Sequence, residues 1–140
     1  MVDKLFIAMK GLVLYQGKVL LIRESSTYTD GTQTGKFDVV GGRLEKGEKF
    51  NESLLREIRE ETGLVVTIGK PFFVNEVRIT VRGETWQIVR VFFDCHATSD
   101  VVVLGNDHNE CVWINPLEYQ HYPLIDNLLP VFEAYIKSLK

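Results

Sequence analysis

The sequence predicts a mixed α/β (α+β) domain, and three observations carry that expectation. Runs rich in Val, Ile, Leu and Phe recur at 4–14, 19–23, 71–82 and 85–97, set apart by glycine turn signals, which is the signature of strands. Between the second and third run lies a helical stretch that stops at Thr62-Gly63. A second amphipathic helical pattern closes the chain. The 140 residues suit one domain spanning 1–140, long enough to bury roughly two-thirds of its unfolded surface.

Composition narrows the function. Hydrophobic residues make up 45% and charged residues 25%, ordinary values for a globular chain, so disorder is not expected over most of the length. A net charge of -3 offers no basic footprint for nucleic acid, and an anionic small molecule would need a local device such as a metal ion. No run approaches the ~18 apolar residues of a membrane span, and the N-terminus lacks a long apolar leader. The expectation is a cytoplasmic protein with no membrane partner. Cys95 and Cys111 form no CxxC or Cys/His cluster and are expected as packed thiols rather than a disulfide or a zinc site.

In chain order, 4–14 and 19–23 should be neighbouring strands joined by a turn at Tyr15-Gln16-Gly17-Lys18. Residues 24–35 are polar and rich in Ser, Thr and Gly, and are expected as a long loop that either lies over the site or moves. A short strand at 36–40 leads to Gly41-Gly42, where backbone can approach a ligand closely. Glu45, Gly47 and Glu48 then make a tight acidic turn.

The helix that follows has Gly63 placed for a left-handed C-cap. At about 100° per residue, Glu57, Glu60 and Glu61 fall within an arc of roughly 100°, with Ser53 on the same face. Leu54, Leu55 and Ile58 make the neighbouring, buriable face. The acid stripe breaks two local rules. Glu57 and Glu61 are like charges at i,i+4, and Glu60 and Glu61 crowd the negative end of the macrodipole, each at a cost of a few tenths to about 1 kcal/mol. A hard divalent cation would remove both penalties. The competing reading is a solvated face laced with ion pairs from Glu52, Arg56, Arg59 and Glu60.

Beyond the helix, 65–68 continues as a strand, and 71–82 with 85–97 alternates as a long hairpin turning at Gly83-Glu84. In its second arm Trp86, Ile88, Arg90, Phe92 and Asp94 face one way; Gln87, Val89, Val91, Phe93 and Cys95 face the other and are the better core candidates. An apolar run at 101–104 precedes the loop GNDHNE and a last strand, CVWI. His108 reads as a solvated loop residue. Asn115-Pro116-Leu117-Glu118 has the form of a capped short helix. From about Asp126, Leu128, Val131, Phe132, Tyr135, Ile136 and Leu139 recur at helical spacing, with Pro130 in the first turn or at a kink.

From Gly42 to Leu64 the chain reads glycine, five residues, Glu48, seven residues, Arg56, Glu57, Ile58, any residue, Glu60, Glu61, any residue, Gly63, Leu64. This resembles the complete signature of the Nudix hydrolases. The resemblance implies an α/β/α sandwich around a mixed central sheet and hydrolysis of a phosphoanhydride bond in a nucleoside diphosphate-linked substrate with Mg²⁺ (or Mn²⁺). It also implies roles. Glu57, Glu60 and Glu61 are the expected metal ligands, completed by the backbone carbonyl around Gly42. Glu48 and Arg56 are the pair that fixes the loop on the helix. Substrate contacts are expected from Gly41, Gly42, Phe37 and Glu110, and from Arg23, which reads equally well as an ordinary surface arginine. The base that activates water is expected among Glu57, Glu61 and the loop carboxylates Asp107 and Glu110. Tyr28, Phe37 and Trp86 are available to stack a base or simply to pack.

The chain departs from the family pattern in two places: Val40 stands where proline is usual, and Lys49 where a serine or threonine N-cap is common. The cap rules favour a helix start at Asn51, whereas the resemblance starts it near Lys49. Thr80 occupies the position where ADP-ribose hydrolases often carry proline, and the short, single-domain form is compatible with relatives that cleave nucleoside triphosphates, the mildly preferred substrate class. A Nudix-fold sensor that binds a nucleotide without turnover is the alternative, and the intact acid stripe speaks against it. The family includes many homodimers, and no exposed apolar stripe in the sequence demands one.

Overall fold

The computed structural model describes residues 1–24 and 35–140; the expectations for the loop at 24–35 and for Tyr28 lie almost wholly outside them. Among the described residues the elements in order are β1 Lys4–Tyr15, β2 Lys18–Glu24, β3 Phe37–Asp38, β4 Val40–Arg43, α1 Phe50–Thr62, β5 Val66–Val81, β6 Glu84–Ala97, β7 His108–Ile114, a 3-10 turn Pro116–His121 and α2 Leu129–Ser138. The sheet runs β3-β2-β1-β6-β5, with β4 added to β1 and β7 to β2. β1 and β6 are parallel from Lys4↔Trp86 to Leu14↔His96, and the other pairs are antiparallel. The sheet is therefore mixed, as expected.

β1 is the centre of the fold because its apolar run is covered on both sides. Met9 and Val13 pack with Leu54 and Ile58 of α1, while Leu12 and Leu14 pack with Leu128, Val131 and Phe132 around α2. One helix thus lies on each face, giving the three layers. β1 meets β2 only at Leu14↔Val19 and Tyr15↔Lys18, so the two strands are neighbours across the turn but part early. The gap between them admits β4.

Several local expectations change in the folded chain. The predicted strand at 36–40 is two pieces, and β4 runs through the double glycine, pairing Lys10↔Gly41 and Met9↔Gly42. α1 begins at Phe50 with Lys49 as its N-cap, whose side chain makes no capping bond. The ring of Phe50 instead stacks on Phe93 at 5.7 Å, an apolar anchor that outweighs the better capping chemistry of Asn51. Gly63 takes the left-handed conformation, φ 73°, and its N–H donates to Arg59 O.

The hairpin turns at Arg82-Gly83, φ 48° and 80°, rather than at Gly83-Glu84, because a two-residue turn of the hand that matches strand twist needs both central residues left-handed. β5 is continuous from Val66, with register shifts on either side of Pro71, which has no N–H to give the ladder. The more buried face of β6 is that of Trp86, Arg90 and Phe92, reversing the expected assignment over most of the strand. Residues 125–128 and α2 cover that side. On the other face Leu5, Ile7 and Val74 remain 62%, 43% and 59% exposed, an apolar stripe that the sequence did not reveal.

Val101 and Val103 are exposed, while Val102 and Leu104 pack on the core. Asn115 caps its turn by accepting from Leu117 N–H, but the turn is 3-10. α2 starts at Leu129, three residues later than expected, after left-handed Asn127, and Leu139 at its end is exposed. Cys95 is buried and Cys111 partly so; both are free thiols. No helix among the described residues is long and apolar enough to cross a membrane.

Candidate active site

The acid face of α1 is assembled around Arg56. Its guanidinium donates from Nε to Glu48 Oε2 at 2.7 Å and from Nη2 to Glu48 Oε1 at 3.1 Å. Nη1 reaches Glu57 Oε1 at 3.1 Å and Glu60 Oε2 at 3.2 Å. The turn before the helix closes on itself, since Glu48 N–H donates to Glu45 O and Glu45 N–H to Glu48 Oε1. One side chain therefore joins the acidic turn to two carboxylates of the helix.

The bond from Arg56, and secondarily the Glu45 N–H, holds the Glu48 carboxyl down to about 2. A depressed carboxylate contributes stability that is present above its ordinary value of 4.5 and is lost as pH falls from there toward 2. Glu48→Gln should accordingly flatten the loss of stability between pH 4.5 and 2, read as urea midpoints across that range. An unchanged pH profile would refute the assignment.

Above the helix, β4 brings backbone down onto the next two carboxylates. Gly41 N–H donates to Glu61 Oε1 at 2.8 Å. A Cβ on Gly42 would sit 2.6 Å from the Glu57 carboxyl carbon, so the carboxylate rests where only a hydrogen fits. Burial raises Glu57, opposed by Arg56. Burial pushes Glu61 further, up to about 8, against the pull of Lys10 and the Gly41 N–H. The segment after β6 seals this end of the helix, with Val103 N–H on Thr62 O and Gly105 N–H on Glu61 O.

Three residues that sequence reasoning did not single out complete the floor. Lys10 is 7% exposed and its Nζ lies 3.0 Å from Asp38 Oδ2. Asp38 Oδ1 also accepts from Val39 N–H. His108 is not a solvated loop residue. It begins β7, its Nε2 lies 3.8 Å from Glu61 Oε2, and its buried Nδ1 has no hydrogen-bond partner among the described residues. Burial, helped by Lys10, lowers His108 from its ordinary value of 6.5 and so favours the neutral ring. A lysine inside the apolar run KLFIAMKGLVL was the available signal for Lys10, because a cation there must find a partner. His108 had none.

A groove of about 1050 Å³ follows the acid face past Gly41, Gly42, Glu57, Glu61 and Asp107. A second, smaller pocket of about 260 Å³ lies on the other face of the sheet, walled by Val77, Ile79, Trp86 and Ile88 with Arg90 and Asn127. Lys10, Glu24, Asp38, Gly42, Arg43 and His108 line both, so the two adjoin.

Other expected residues fall elsewhere. Phe37 is 6% exposed and packs edge-on against Tyr122, because strand alternation turns Phe37 into the core and Asp38 toward the groove. Arg23 and Glu110 face each other across β2 and β7 and pair at 2.6 Å, outside the lining of either depression. Of the two loop carboxylates only Asp107 lines the groove. Trp86 is 3% exposed yet forms part of the pocket wall, with Phe6 edge-on at 5.1 Å and Arg43 over its ring at 4.8 Å.

Among the described residues no three His, Cys, Asp or Glu side chains converge on one point, and Arg56 draws Glu57 and Glu60 toward itself. The donor set still fits a hard divalent cation. It is all oxygen, one carboxylate is buried with no lysine or arginine within 4.0 Å among the described residues, and the Gly42 backbone leaves a cradle beside Glu57 that a side chain would fill.

A family model described as the NUDIX domain matches residues 8–135. The CTP pyrophosphohydrolase of Escherichia coli is 26% identical over 136 residues, which cover 95% of this chain and 93% of that protein. The nucleoside triphosphatase NudI of Escherichia coli is 32% identical over 101 residues, 67% of this chain and 72% of that one. Among solved structures, the MutT protein from Methanosarcina mazei has a TM-score of 0.82 at 25% identity and covers 100% of this chain and 99% of its own. A MutT NUDIX hydrolase from Burkholderia pseudomallei, at 20% identity and TM-score 0.75, covers 94% and 98% and shares the fold.

Proposed function

The chain belongs to the Nudix family of hydrolases, and from that premise we propose that it cleaves a phosphoanhydride bond of a nucleoside triphosphate, with Mg²⁺ or Mn²⁺, to release a nucleoside monophosphate. The observation that carries this reading is the adjacency of two unlike spaces. An acid-floored groove adjoins an apolar-walled pocket at Lys10, Asp38 and Gly42, an arrangement that suits one molecule with a charged chain and a planar end. The names of the two Escherichia coli relatives, a CTP pyrophosphohydrolase and a nucleoside triphosphatase, support the same substrate class.

In this reading Glu57, Glu60, Glu61 and the backbone carbonyl near Gly42 hold the ion. When bound, the cation neutralises charge on the phosphate oxygens and activates water. The remaining work belongs to the chain. Arg56, fixed by its two bonds to Glu48, keeps the acidic turn seated on the helix and so holds Glu57 and Glu60 at the groove. The Gly41 N–H orients the Glu61 carboxylate. Lys10, at the junction of the two spaces, steers the phosphate chain from one into the other. Glu57, Glu61 and Asp107 line the groove and are the groups placed to accept the proton of the attacking water.

The test is a panel of nucleoside triphosphates, ADP-ribose, dinucleoside polyphosphates and nucleotide sugars, each assayed with Mg²⁺, Mn²⁺ or a chelator. Nucleoside monophosphate and pyrophosphate should appear from one or more triphosphates and vanish with chelator. Absence of turnover throughout the panel with either ion would overturn the proposal.

A further inference from the structure

Among the described residues Arg90 is a buried cation, 5% exposed, with no carboxylate within 4.0 Å of its guanidinium, and Asp38 is the carboxylate whose charge it feels. Its partners are neutral: Nε donates to Asn75 Oδ1 at 3.0 Å and Nη2 to Asn127 O at 3.4 Å, while the ring of Phe92 lies 5.3 Å away. Asn75 also donates to Asn127 O, so the two asparagines hold the guanidinium in place. Nη1 has no protein acceptor among the described residues. The other buried cation of the site, Lys10, is paired with Asp38.

Burying a charge among neutral partners is costly, and the guanidinium cannot shed its proton to escape that cost. The position of Arg90 explains what offsets it. The residue lines the smaller pocket between the apolar walls of Val77, Ile79, Ile88 and Trp86. Those apolar walls suit the faces of a flat ring. A fixed guanidinium offers two parallel N–H donors and therefore matches a ring edge carrying two adjacent acceptors.

Building on the nucleotide reading above, we infer that Arg90 is the specificity-determining residue of the pocket and selects nucleobases with two adjacent acceptors, guanine (O6 and N7) and cytosine (O2 and N3). Adenine sets an amino donor beside N7, and uracil sets an N–H between its carbonyls, so neither satisfies the fork. Leaving a buried donor unpaired in the wrong complex is what produces discrimination.

The experiment compares kcat and KM for GTP, CTP, ATP and UTP in the wild type, Arg90→Met and Arg90→Lys, with melting temperatures alongside. The wild type should favour GTP and CTP over ATP and UTP by at least about tenfold in kcat/KM. Arg90→Met should lose tenfold or more on GTP and CTP, mainly through KM, and less than threefold on ATP and UTP. Its melting temperature should be no lower than that of the wild type. Arg90→Lys keeps the charge but not the fork and should lose the preference as well.

A wild type that handles the four bases equally, or variants that slow all four to the same degree, would overturn the inference and leave Arg90 a structural clamp between Asn75 and Asn127. If no triphosphate is turned over, the pyrophosphohydrolase reading falls, and calorimetric binding of GMP, CMP, AMP and UMP still decides the matter. Tighter GMP and CMP supports Arg90 as the reader, and equal affinities refute it.

Discussion

Glu61→Gln is expected to lower turnover by at least about a hundredfold while leaving the fold intact, the scale of losing a ligand or a base in metal-assisted hydrolysis. The amide keeps an oxygen to accept from Gly41 N–H, so the local geometry survives and the loss falls on kcat. A stability signature accompanies it. Because burial pushes Glu61 up to about 8, the folded chain binds its proton more tightly than the unfolded chain does. Stability in chelator therefore falls as pH rises from 4.5 to 8. Glu61→Gln should flatten that slope and at pH 9 melt above the wild type. Millimolar Mg²⁺ or Mn²⁺ should raise the melting temperature of the wild type, by mass action on the folded state, and leave that of the variant unmoved. Wild-type turnover in the variant, or equal stabilisation of both proteins by the ions, would remove Glu61 from the site.

Gly41→Ala is expected to be strongly destabilising. Gly41 has φ 129°, and a Cβ there would collide with Met9 O and lie 2.7 Å from Lys10 Cα. Both obstacles are backbone of the central strand and cannot yield without parting β4 from β1. Strain and steric conflict together should cost about 3 kcal/mol or more in denaturant unfolding. Gly42→Ala makes the useful contrast. Its Cβ would meet the Glu57 carboxylate first, the movable end of a side chain. That variant should fold with a melting temperature near the wild type and lose activity, whereas equal damage to stability at both positions would contradict the contacts described.

The two glycines also show how far the sequence could be read. Their closeness to a ligand was inferred from the absence of side chains, yet the folded chain uses them first to let β4 lie against β1 and against Glu57 and Glu61. The Gly63 cap and the buried stripe of Leu54 and Ile58 were legible, because helix periodicity and capping act within a few residues. The acid stripe stood out for the same reason, as a local arrangement that works against its own helix. Leu55 was read as buriable and is 38% exposed, since α1 covers only part of the sheet.

What failed to show was anything that depends on facing. In β3 a difference of one residue sends Phe37 to the core and Asp38 to the groove, and two residues of strand carry no pattern that sets the phase. The expected face of β6 is core only at Phe93 and Cys95, which pack with α1; along the rest of the strand, where both sides carry apolar residues, Trp86, Arg90 and Phe92 are the buried side. Arg23 and Glu110, both expected as substrate contacts, stand opposite each other on β2 and β7, a pairing that no local pattern announces. His108 became part of the site through a strand pairing with Glu24, a residue far away in the chain.

The sequence by itself determined the helix, its carboxylates, its cap, the family and thereby the class of reaction, all of which rest on spacings within one stretch of 23 residues from Gly42 to Leu64. Tertiary structure alone decided which residues face that stretch: Lys10 from β1, Asp38 from β3, His108 from β7 and, across the sheet, Arg90 from β6. The physical reason is that a strand's residues have two faces to choose from, and the choice is made by burial against elements distant in sequence rather than by their neighbours.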